Sequence, residues 1–372
     1  MWKTLKSCLI IERSNKGNLY SLVFVALFII VFMFIVSDDN FGNPLVDTTT
    51  EYQSISTAMS KFQIVDANAP ENNDSTYSKL IQLRQMISLK SAGLKMDKEE
   101  MLYKASNRII NLRDAVYKSE DFNLVKDLVP PKIHNENERA FVNALWEREI
   151  TLNQDSLQYW QFLLIVFSVI GIAWFPFLSL YTSGIMIEDF QHSTILKGYP
   201  VRFDQYVIAK GITKLFLILS FIALIFIISL PLIQVKGIGV ANYPVIVYSD
   251  SPVAYTIPQY ILLCLTIMFV ITIFTLLLSI IFNMIFKNLY ITLFIQLILY
   301  FLPILFPSLI SVLPYNPFNF LNFNMILDGG TLAISNPVDV TFFDGFIILS
   351  ICILIMLIIV QRFLSTGNLK RA

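Results

Sequence analysis

Long apolar runs alternate with polar segments along this chain of 372 residues. A helix needs about 20 mostly apolar residues to cross the hydrocarbon core of a bilayer, and six runs meet this requirement. They lie at residues 18–36, 160–182, 215–235, 257–286, 289–312 and 345–362. Because a bilayer leaves no water for unpaired backbone groups, each run is expected to be helical. The pattern therefore predicts an all-α polytopic membrane protein with six transmembrane helices.

One large polar segment, residues 38–158, separates the first two predicted spans. It contains nineteen Asp and Glu and fourteen Lys and Arg, a net charge of −5. It is long enough for a small domain, and its apolar residues recur mostly with helical spacing, so we predict a mainly helical extracellular domain. A polar residue followed three positions later by Glu predicts helix starts at Asp97 and Asn135. The second helix is expected to run on towards the next span, and residues 76–91 are predicted to form another helix.

The N-terminal segment combines basic and apolar positions. Trp2, Leu5 and Leu9 fall on one helical face, while the Lys and Arg side chains of the segment are free to reach phospholipid headgroups. This pattern predicts an interfacial elbow helix over residues 1–17. The alternative is a frayed basic tail.

Three shorter connections complete the predicted topology. Residues 236–257 form a short outer loop, and Lys287 with Asn288 forms a very tight turn between two spans. Residues 313–343 are aromatic and apolar but are interrupted by prolines. They are therefore predicted to form an extracellular or re-entrant segment rather than a span.

The distribution of Lys and Arg predicts the orientation, because short cytoplasmic loops are enriched in both residues. With the N-terminus inside, twelve cations lie in cytoplasmic segments and only Lys236 lies in the short outer loops. The long polar segment is left out of this count, since long segments translocate largely regardless of charge. The sequence therefore predicts a multi-pass plasma-membrane protein with both termini in the cytoplasm and the polar domain outside.

Composition and motifs limit the chemistry that the chain offers. Charged residues make up 15% of the chain and the net charge is zero, so nothing indicates a nucleic-acid partner. The sequence contains no phosphate-binding GxxxxGK(S/T) motif and no GxSxG, HExxH or CxxC motif. Its histidines, His134 and His192, lie on opposite sides of the predicted membrane and cannot share a metal. We therefore expect no enzymatic activity, and no metal or cofactor bound by this chain.

The predicted spans hold no Asp, Glu, Lys or Arg well inside the membrane. Ion-coupled transporters generally hold such a group near the midplane, so a secondary transporter is disfavoured. The few polar residues within the spans are predicted to form interhelical hydrogen bonds. They are Thr266, Thr272, Thr275, Asn283 and Gln296.

A charged cytoplasmic loop, residues 185–214, connects the second and third spans. It resembles the first cytoplasmic loop of permeases of the ABC type-2, or export-associated, transporter family. The family pattern has an acidic position, a Gly-Thr pair, an apolar residue, a Pro-x-x-Arg-like turn and a Lys that opens the next span. The matching residues here are Glu188, Asp189, Thr194, Leu196, Arg202 and Lys210. Ser193 stands where the family has Gly, and Arg202 follows Pro200 by two residues instead of three.

The resemblance implies the transmembrane permease subunit of an ATP-driven ABC exporter. Two permeases, identical or related, would pair with cytoplasmic ABC ATPase subunits, which hold ATP and Mg²⁺. The loop would contain a coupling helix seated on the ATPase, with Glu188, Asp189 and Arg202 giving charge complementarity. The exported substrate would be amphipathic, such as a peptide or bacteriocin, a drug or a lipid-like molecule, and membrane lipids would surround the spans.

Two alternatives stay open beside the exporter. The loop could be a solvated segment whose charges only enforce topology. The chain could also be a non-transporting membrane sensor or binding protein, whose extracellular domain binds a ligand and whose cytoplasmic loop docks a signalling partner. An ATPase partner that depends on the loop charges favours the exporter, whereas a partner without nucleotide-binding motifs favours the sensor.

Overall fold

The computed structural model of the chain describes residues 2–37, 44–62, 75–152, 155–191, 203–330 and 341–365, most of them helical. The first helices are α1 (Trp2–Ser14), α2 (Lys16–Val36), α3 (Pro44–Ser60), α4 (Thr76–Met96), α5 (Glu99–Tyr117), α6 (Phe122–Val125), α7 (Lys132–Glu147), α8 (Tyr159–Thr182) and α9 (Ile187–Gln191). They are followed by α10 (Phe203–Ser229), α11 (Pro231–Val235), the strands β1 (Val245–Tyr248) and β2 (Pro252–Tyr255), α12 (Ile257–Phe286), α13 (Leu289–Leu305), α14 (Ser308–Val312), a short 3-10 helix (Pro317–Phe320), α15 (Phe323–Leu327) and α16 (Phe342–Ser365).

Five helical stretches within the described residues are long and apolar enough to cross a membrane. They are Lys16–Val36, Tyr159–Phe190, Phe203–Val235, Ile257–Phe286 and Phe342–Phe363. The remaining predicted span, 289–312, contains the shorter apolar helix α13, of 17 residues, and the separate helix α14. Pro307 accounts for the division, because the residue before a proline is pushed out of helical geometry.

Local sequence signals set both ends of α12. The Thr256 hydroxyl accepts a hydrogen bond from the Gln259 N–H, the Gln259 side chain accepts one from the Thr256 N–H, and Pro258 occupies the first turn. The helix ends at Lys287, whose left-handed backbone (φ 50°) reverses the chain. The Asn288 side chain then caps the start of α13, so the predicted very tight turn is confirmed.

The apolar helices form one core in which α12 packs against α8 and α16. The Trp174 indole of α8 donates a hydrogen bond to the Met268 carbonyl of α12 at 3.2 Å. Gly171 allows α8 to approach α15 closely, since a Cβ at this position would lie 2.7 Å from the side chain of Asn324 in α15. The core is thus built from α8, α12 and their immediate neighbours.

Residues 313–330 are the described part of the segment predicted to be extracellular or re-entrant. Its 3-10 helix and α15 bury Phe320, Leu321 and Phe323 almost completely in the core of the apolar helices. Residues 331–340 lie outside the described chain. The last apolar helix begins at Phe342, three residues before the predicted start of the last span.

The polar segment folds into a helical unit with its own core, formed mainly by α3, α4 and α5, and α7 packs against α5. Fully buried core residues include Ile55, Leu80, Leu83, Ile87 and Ile109. Arg113, only 1% exposed, forms ion pairs with Glu51 of α3 and Glu138 of α7. The predicted helical character of this segment is confirmed, and the helix predicted at 76–91 extends to Met96.

Two predicted helix starts in this domain are wrong. Asp97 instead ends α4 with a left-handed backbone (φ 51°), and α5 begins two residues later without a side-chain cap. Asn135 lies inside α7, which begins directly after Pro131. The Asn135 amide makes a tertiary contact instead of a cap, since its Nδ2 donates to the Ile110 carbonyl at 3.0 Å.

The expectation that the helix after Asn135 runs towards the next span is also wrong. α7 ends at Glu147, and the Ile150 N–H donates to the Leu145 carbonyl at 3.0 Å. Glu149 adopts the left-handed backbone (φ 52°) that this helix ending requires. The last helix of the polar domain, α7, and α8 are therefore two separate helices.

The predicted outer loop 236–257 contains a two-stranded antiparallel hairpin, which the sequence analysis missed. Val245 of β1 pairs with Tyr255 of β2, and the hairpin packs against α7. Arg148, at the end of α7, donates hydrogen bonds to the carbonyls of Asn242 and Ala254, each at 2.8 Å. The loop between two apolar helices is thus attached to the polar domain.

Candidate coupling site at the base of the charged loop

The described residues include half of the predicted coupling residues. Glu188 and Asp189 lie on the short helix α9, and Lys210 lies in α10. Thr194, Leu196 and Arg202 lie outside the described residues, as does His192. Since α10 begins at Phe203, the last part of the predicted loop 185–214 is helical.

Asp189 and Lys210 form a buried ion pair that joins α9 to α10. Asp189 Oδ2 lies 2.7 Å from Lys210 Nζ, and the two side chains are 8% and 10% exposed. The Tyr206 hydroxyl donates a second hydrogen bond to Asp189 Oδ1 at 2.8 Å. The structure therefore brings these two predicted residues together, but in a contact within the chain instead of on a docking surface.

Glu188 differs from its neighbour because it is exposed. It lines an open groove of about 800 Å³ between the start of α2, the end of α8, and α10. Lys210 and Lys214 contribute to the polar end of this groove, while Phe24 and Phe177 contribute to its apolar side. The acidic pair predicted from sequence is thus divided into one exposed and one buried carboxylate.

A second buried ion pair lies one turn further along α10, where Lys214 Nζ is 2.8 Å from Glu12 Oε2 of α1. Asn18 of α2 donates from Nδ2 to Glu12 Oε2 at 2.7 Å. Its Oδ1 accepts a hydrogen bond from the Tyr181 hydroxyl of α8 at 2.8 Å. The ammonium group of Lys214 also lies 4.7 Å from the centre of the Tyr181 ring. This cluster ties together α1, α2, α8 and α10.

Asn283 of α12, fully buried, attaches the backbone that enters the loop. Its Oδ1 accepts a hydrogen bond from the Met186 N–H at 3.0 Å, just before α9. Its Nδ2 donates to the Ser183 carbonyl at 2.7 Å and to Thr292 Oγ1 of α13 at 3.0 Å. One side chain therefore holds the junction between α8 and α9 against both α12 and α13.

The prediction of interhelical hydrogen bonds is confirmed for Asn283 and for Gln296, whose Nε2 donates to Ser279 Oγ at 2.9 Å. It is wrong for the three threonines. Each of these hydroxyls donates to the carbonyl four residues earlier in α12, which satisfies the hydroxyl without a second helix. They are Thr266, Thr272 and Thr275.

Sequence reasoning missed Glu12, Asn18, Tyr181 and Lys214 as members of this site. The cations and the apolar face of the N-terminal segment led to the prediction of an interfacial helix. Its single acidic residue, Glu12, is buried and forms part of the site. A lone carboxylate among cations, followed by Asn18 at the start of a span, was the available signal. Nothing local in the sequence links these residues to Lys214.

The site contains charged and amide groups that are already satisfied by one another. Among the described residues, no group of three or more His, Cys, Asp or Glu is placed to hold a metal. The arrangement is suited to holding helices in fixed positions, because each buried charge has a partner at ion-pair distance.

Together these features define a mainly helical protein with the apolar helices of a multi-pass membrane protein. Comparison of the chain with models of known protein families, with curated proteins and with solved structures found no match. The functional argument therefore rests on the residues and their geometry.

Proposed function

We propose that this chain is the transmembrane permease subunit of an ATP-driven ABC exporter, driven by separate cytoplasmic ATPase subunits. The observation that carries the proposal is the set of buried contacts around Asp189, Lys214 and Asn283. Asp189 and Asn283 tie the start of the charged loop to α10, α12 and α13, and Lys214 ties its end to α1, α2 and α8. A loop held in this way moves together with the helix ends, as a subunit driven from its cytoplasmic face requires.

The burial of these ion pairs favours a mechanical role over a solvated loop. Buried pairs contribute little net stability, because desolvation offsets most of the Coulombic attraction. They do restrict geometry, since a buried charge that loses its partner costs about 3–5 kcal/mol. The Asp189–Lys210 and Glu12–Lys214 pairs therefore favour one arrangement of α1, α9 and α10.

In this proposal the chain crosses the plasma membrane six times, with α13 and α14 together supplying the fifth crossing. The distribution of Lys and Arg supports an orientation with both termini and the charged loop in the cytoplasm and the polar domain outside. The helix α1 lies at the cytoplasmic interface. Its Trp2 side chain, 77% exposed, fits the headgroup region.

The ATPase partner would contact the exposed part of the charged loop. Glu188 is the member of the acidic pair that can reach a partner, because Asp189 is buried against Lys210. The resemblance assigns Thr194, Leu196 and Arg202 to the same contact. ATP and Mg²⁺ would be held by the ATPase, and a second permease, identical or related, would complete the transporter.

The groove beside Glu188 supports an amphipathic substrate, such as a peptide, a drug or a lipid-like molecule. Its volume of about 800 Å³ suits a molecule of this size. Phe24, Phe177 and Leu180 line its apolar side, and Lys210 and Lys214 lie at its polar end. An amphipathic molecule would match both surfaces.

Charge reversal at the exposed carboxylate tests the proposal. We expect Glu188→Lys to weaken binding of the ATPase about tenfold, because a like charge replaces a complementary one at the contact. The measurement is co-purification of the full chain with its nucleotide-binding partner, followed by titration in lipid nanodiscs. Glu120→Lys makes the same charge change at an exposed position of the polar domain and should leave binding unchanged.

The buried carboxylate gives a second arm of the same experiment. Asp189→Asn should leave the ATPase bound but reduce substrate-stimulated ATP hydrolysis, because the contact between α9 and α10 is weakened. Full binding by the Glu188→Lys variant would contradict the proposed contact. Capture of a partner without nucleotide-binding motifs would favour the sensor instead.

A further inference from the structure

An apolar groove crosses the surface of the polar domain between α5 and the end of α7. Its volume is about 440 Å³, within the range of pockets that bind small ligands or peptide side chains. Leu102, Val142 and Leu145, each less than 9% exposed, line its base. The groove belongs to a different part of the molecule from the charged loop.

Two aromatic rings form one wall of this groove. Tyr103 of α5 and Trp146 of α7 stack with their ring centres 4.2 Å apart and their planes 17° apart. Trp146 is 52% exposed, although a side chain of this size gains most from burial. An exposed, stacked tryptophan beside an apolar base offers a surface for a flat or aliphatic side chain and for a cation.

The charge at the rim is negative. Glu99 and Glu149 line the groove, and both are exposed. Among the described residues, no Lys or Arg lines the groove. Of the neighbouring cations, Lys104 pairs with Glu100, and the guanidinium of Arg148 binds the carbonyls of the hairpin. Lys98, beside Glu99, is exposed. The ligand that complements this rim is therefore positively charged.

The position of Glu149 adds to this argument. Its left-handed backbone (φ 52°) ends α7, at the helix-ending position where glycine is usual. A glycine would adopt this conformation without strain, whereas glutamate costs about 1 kcal/mol or more. Asp97 and Lys287 end other helices with the same backbone, so what supports a site in the groove is the Glu149 carboxylate at its rim.

We infer that this groove is a binding site for a cationic amphipathic peptide segment. An aromatic or aliphatic side chain of the peptide enters between Leu145 and Trp146. Flanking Lys or Arg side chains meet Glu99 and Glu149. The site does not depend on the proposed transport function, because the binding step uses no nucleotide and no contact with the charged loop.

Binding of a defined peptide to the full chain tests this inference. The probe is a fluorescein-labelled KKWKK peptide, and the protein is held in nanodiscs of zwitterionic lipid so that the membrane itself attracts little peptide. Fluorescence anisotropy gives the Kd. We expect Glu99→Gln with Glu149→Gln to raise the Kd about tenfold or more, and Trp146→Ala to raise it by a similar factor.

Matched controls separate the groove from general surface charge. Glu120→Gln with Asp127→Gln removes the same charge from exposed positions beyond the other end of α5 and should leave the Kd unchanged. Trp146→Phe keeps an apolar ring and should retain most of the affinity. Hydrogen exchange over α5 and α7 shows whether each variant keeps the fold.

The alternative ligands give distinct outcomes. A neutral QQWQQ peptide should bind about tenfold more weakly, and an EEWEE peptide should not bind measurably. Equal affinity for the charged and neutral peptides would overturn the inference, as would an equal loss of affinity in the remote control variant. Neither result would bear on the exporter, which is tested through Glu188 and the ATPase.

Discussion

At the scale of single residues, Arg113 shows how the polar domain is held together. Its guanidinium, 1% exposed, is shared by Glu51 of α3, Glu138 of α7 and the amide oxygen of Asn135. Lys90 of α4 forms a further ion pair with Glu138 at 2.7 Å. One buried charge on α5 therefore contacts α3 and α7 directly and is connected to α4 through Glu138.

The charge on Glu138 makes the polar domain sensitive to acid. Burial alone would raise the pKa of Glu138, but the charges of Lys90 and Arg113 outweigh burial and lower it to about 2. Because the pKa is lower in the folded state, this stabilisation is present above the ordinary carboxyl range and is lost as the pH falls towards 2. We expect the protection of α4, α5 and α7 amides, corrected for the intrinsic exchange rate at each pH, to fall as the pH drops from about 4.5 to about 2.

The Glu138→Gln variant isolates this contribution. It should lose about 3 kcal/mol of domain stability at neutral pH, since Arg113 and Lys90 lose a buried partner, and its stability should vary less with pH. Hydrogen exchange and thermal unfolding measure both effects. Glu100→Gln removes a carboxylate whose ion pair with Lys104 is exposed, and it should change neither the stability of the domain nor its dependence on pH. If Glu138→Gln were as sensitive to acid as the parent chain, a group other than Glu138 would be responsible for the loss of stability at low pH.

At the scale of elements, the boundaries that local signals control were predictable. The start of α12 follows from Thr256, Pro258 and Gln259, and its end follows from the turn at Lys287. The helix start proposed at Asp97 failed because this residue ends α4, and the start proposed at Asn135 failed because its side chain contacts α5. A capping motif in the sequence does not show whether its side chain caps the helix or forms a hydrogen bond with a neighbouring helix.

The hairpin was missed for a similar reason. Its strands have four residues each, too few to give a clear alternating pattern, and the contacts that hold them come from α7. The candidate coupling site is likewise held by contacts between residues that are far apart in the sequence. Lys214 and Asn18, which lie 3.3 Å apart, are separated by 196 positions along the chain, so no local spacing relates them.

Arg148 allows the link between α7 and the hairpin to be tested. Arg148→Ala removes hydrogen bonds from a charged donor to the carbonyls of Asn242 and Ala254, each worth about 1.5–3 kcal/mol. We expect amide exchange in residues 242–255 to become about tenfold faster, with α4 unchanged. Arg108→Ala removes an exposed arginine of α5 and serves as the control. Equal exchange in both variants would mean that the hairpin is held by packing alone.

At the scale of the whole molecule, the polar domain and the charged loop lie at opposite ends of the same helices. The hairpin joins the domain to the start of α12, and Asn283 joins the loop to its other end. α12 spans 30 residues, about 45 Å of helix, between the two attachments. A long, mostly buried helix held at both ends gives a continuous physical connection between the groove on the polar domain and the proposed ATPase contact.

Asn283 is the residue through which this connection can be broken without removing either site. Asn283→Leu keeps a similar volume but removes the hydrogen bonds to Met186, Ser183 and Thr292. In the proposed exporter we expect ATPase binding and peptide binding to persist, while substrate stimulation of ATP hydrolysis falls about tenfold. Thr272→Val is the matched control, because this buried hydroxyl donates within α12 to the Met268 carbonyl. If both variants lost stimulation equally, the effect would belong to core packing, and Asn283 would not be the link between the loop and α12.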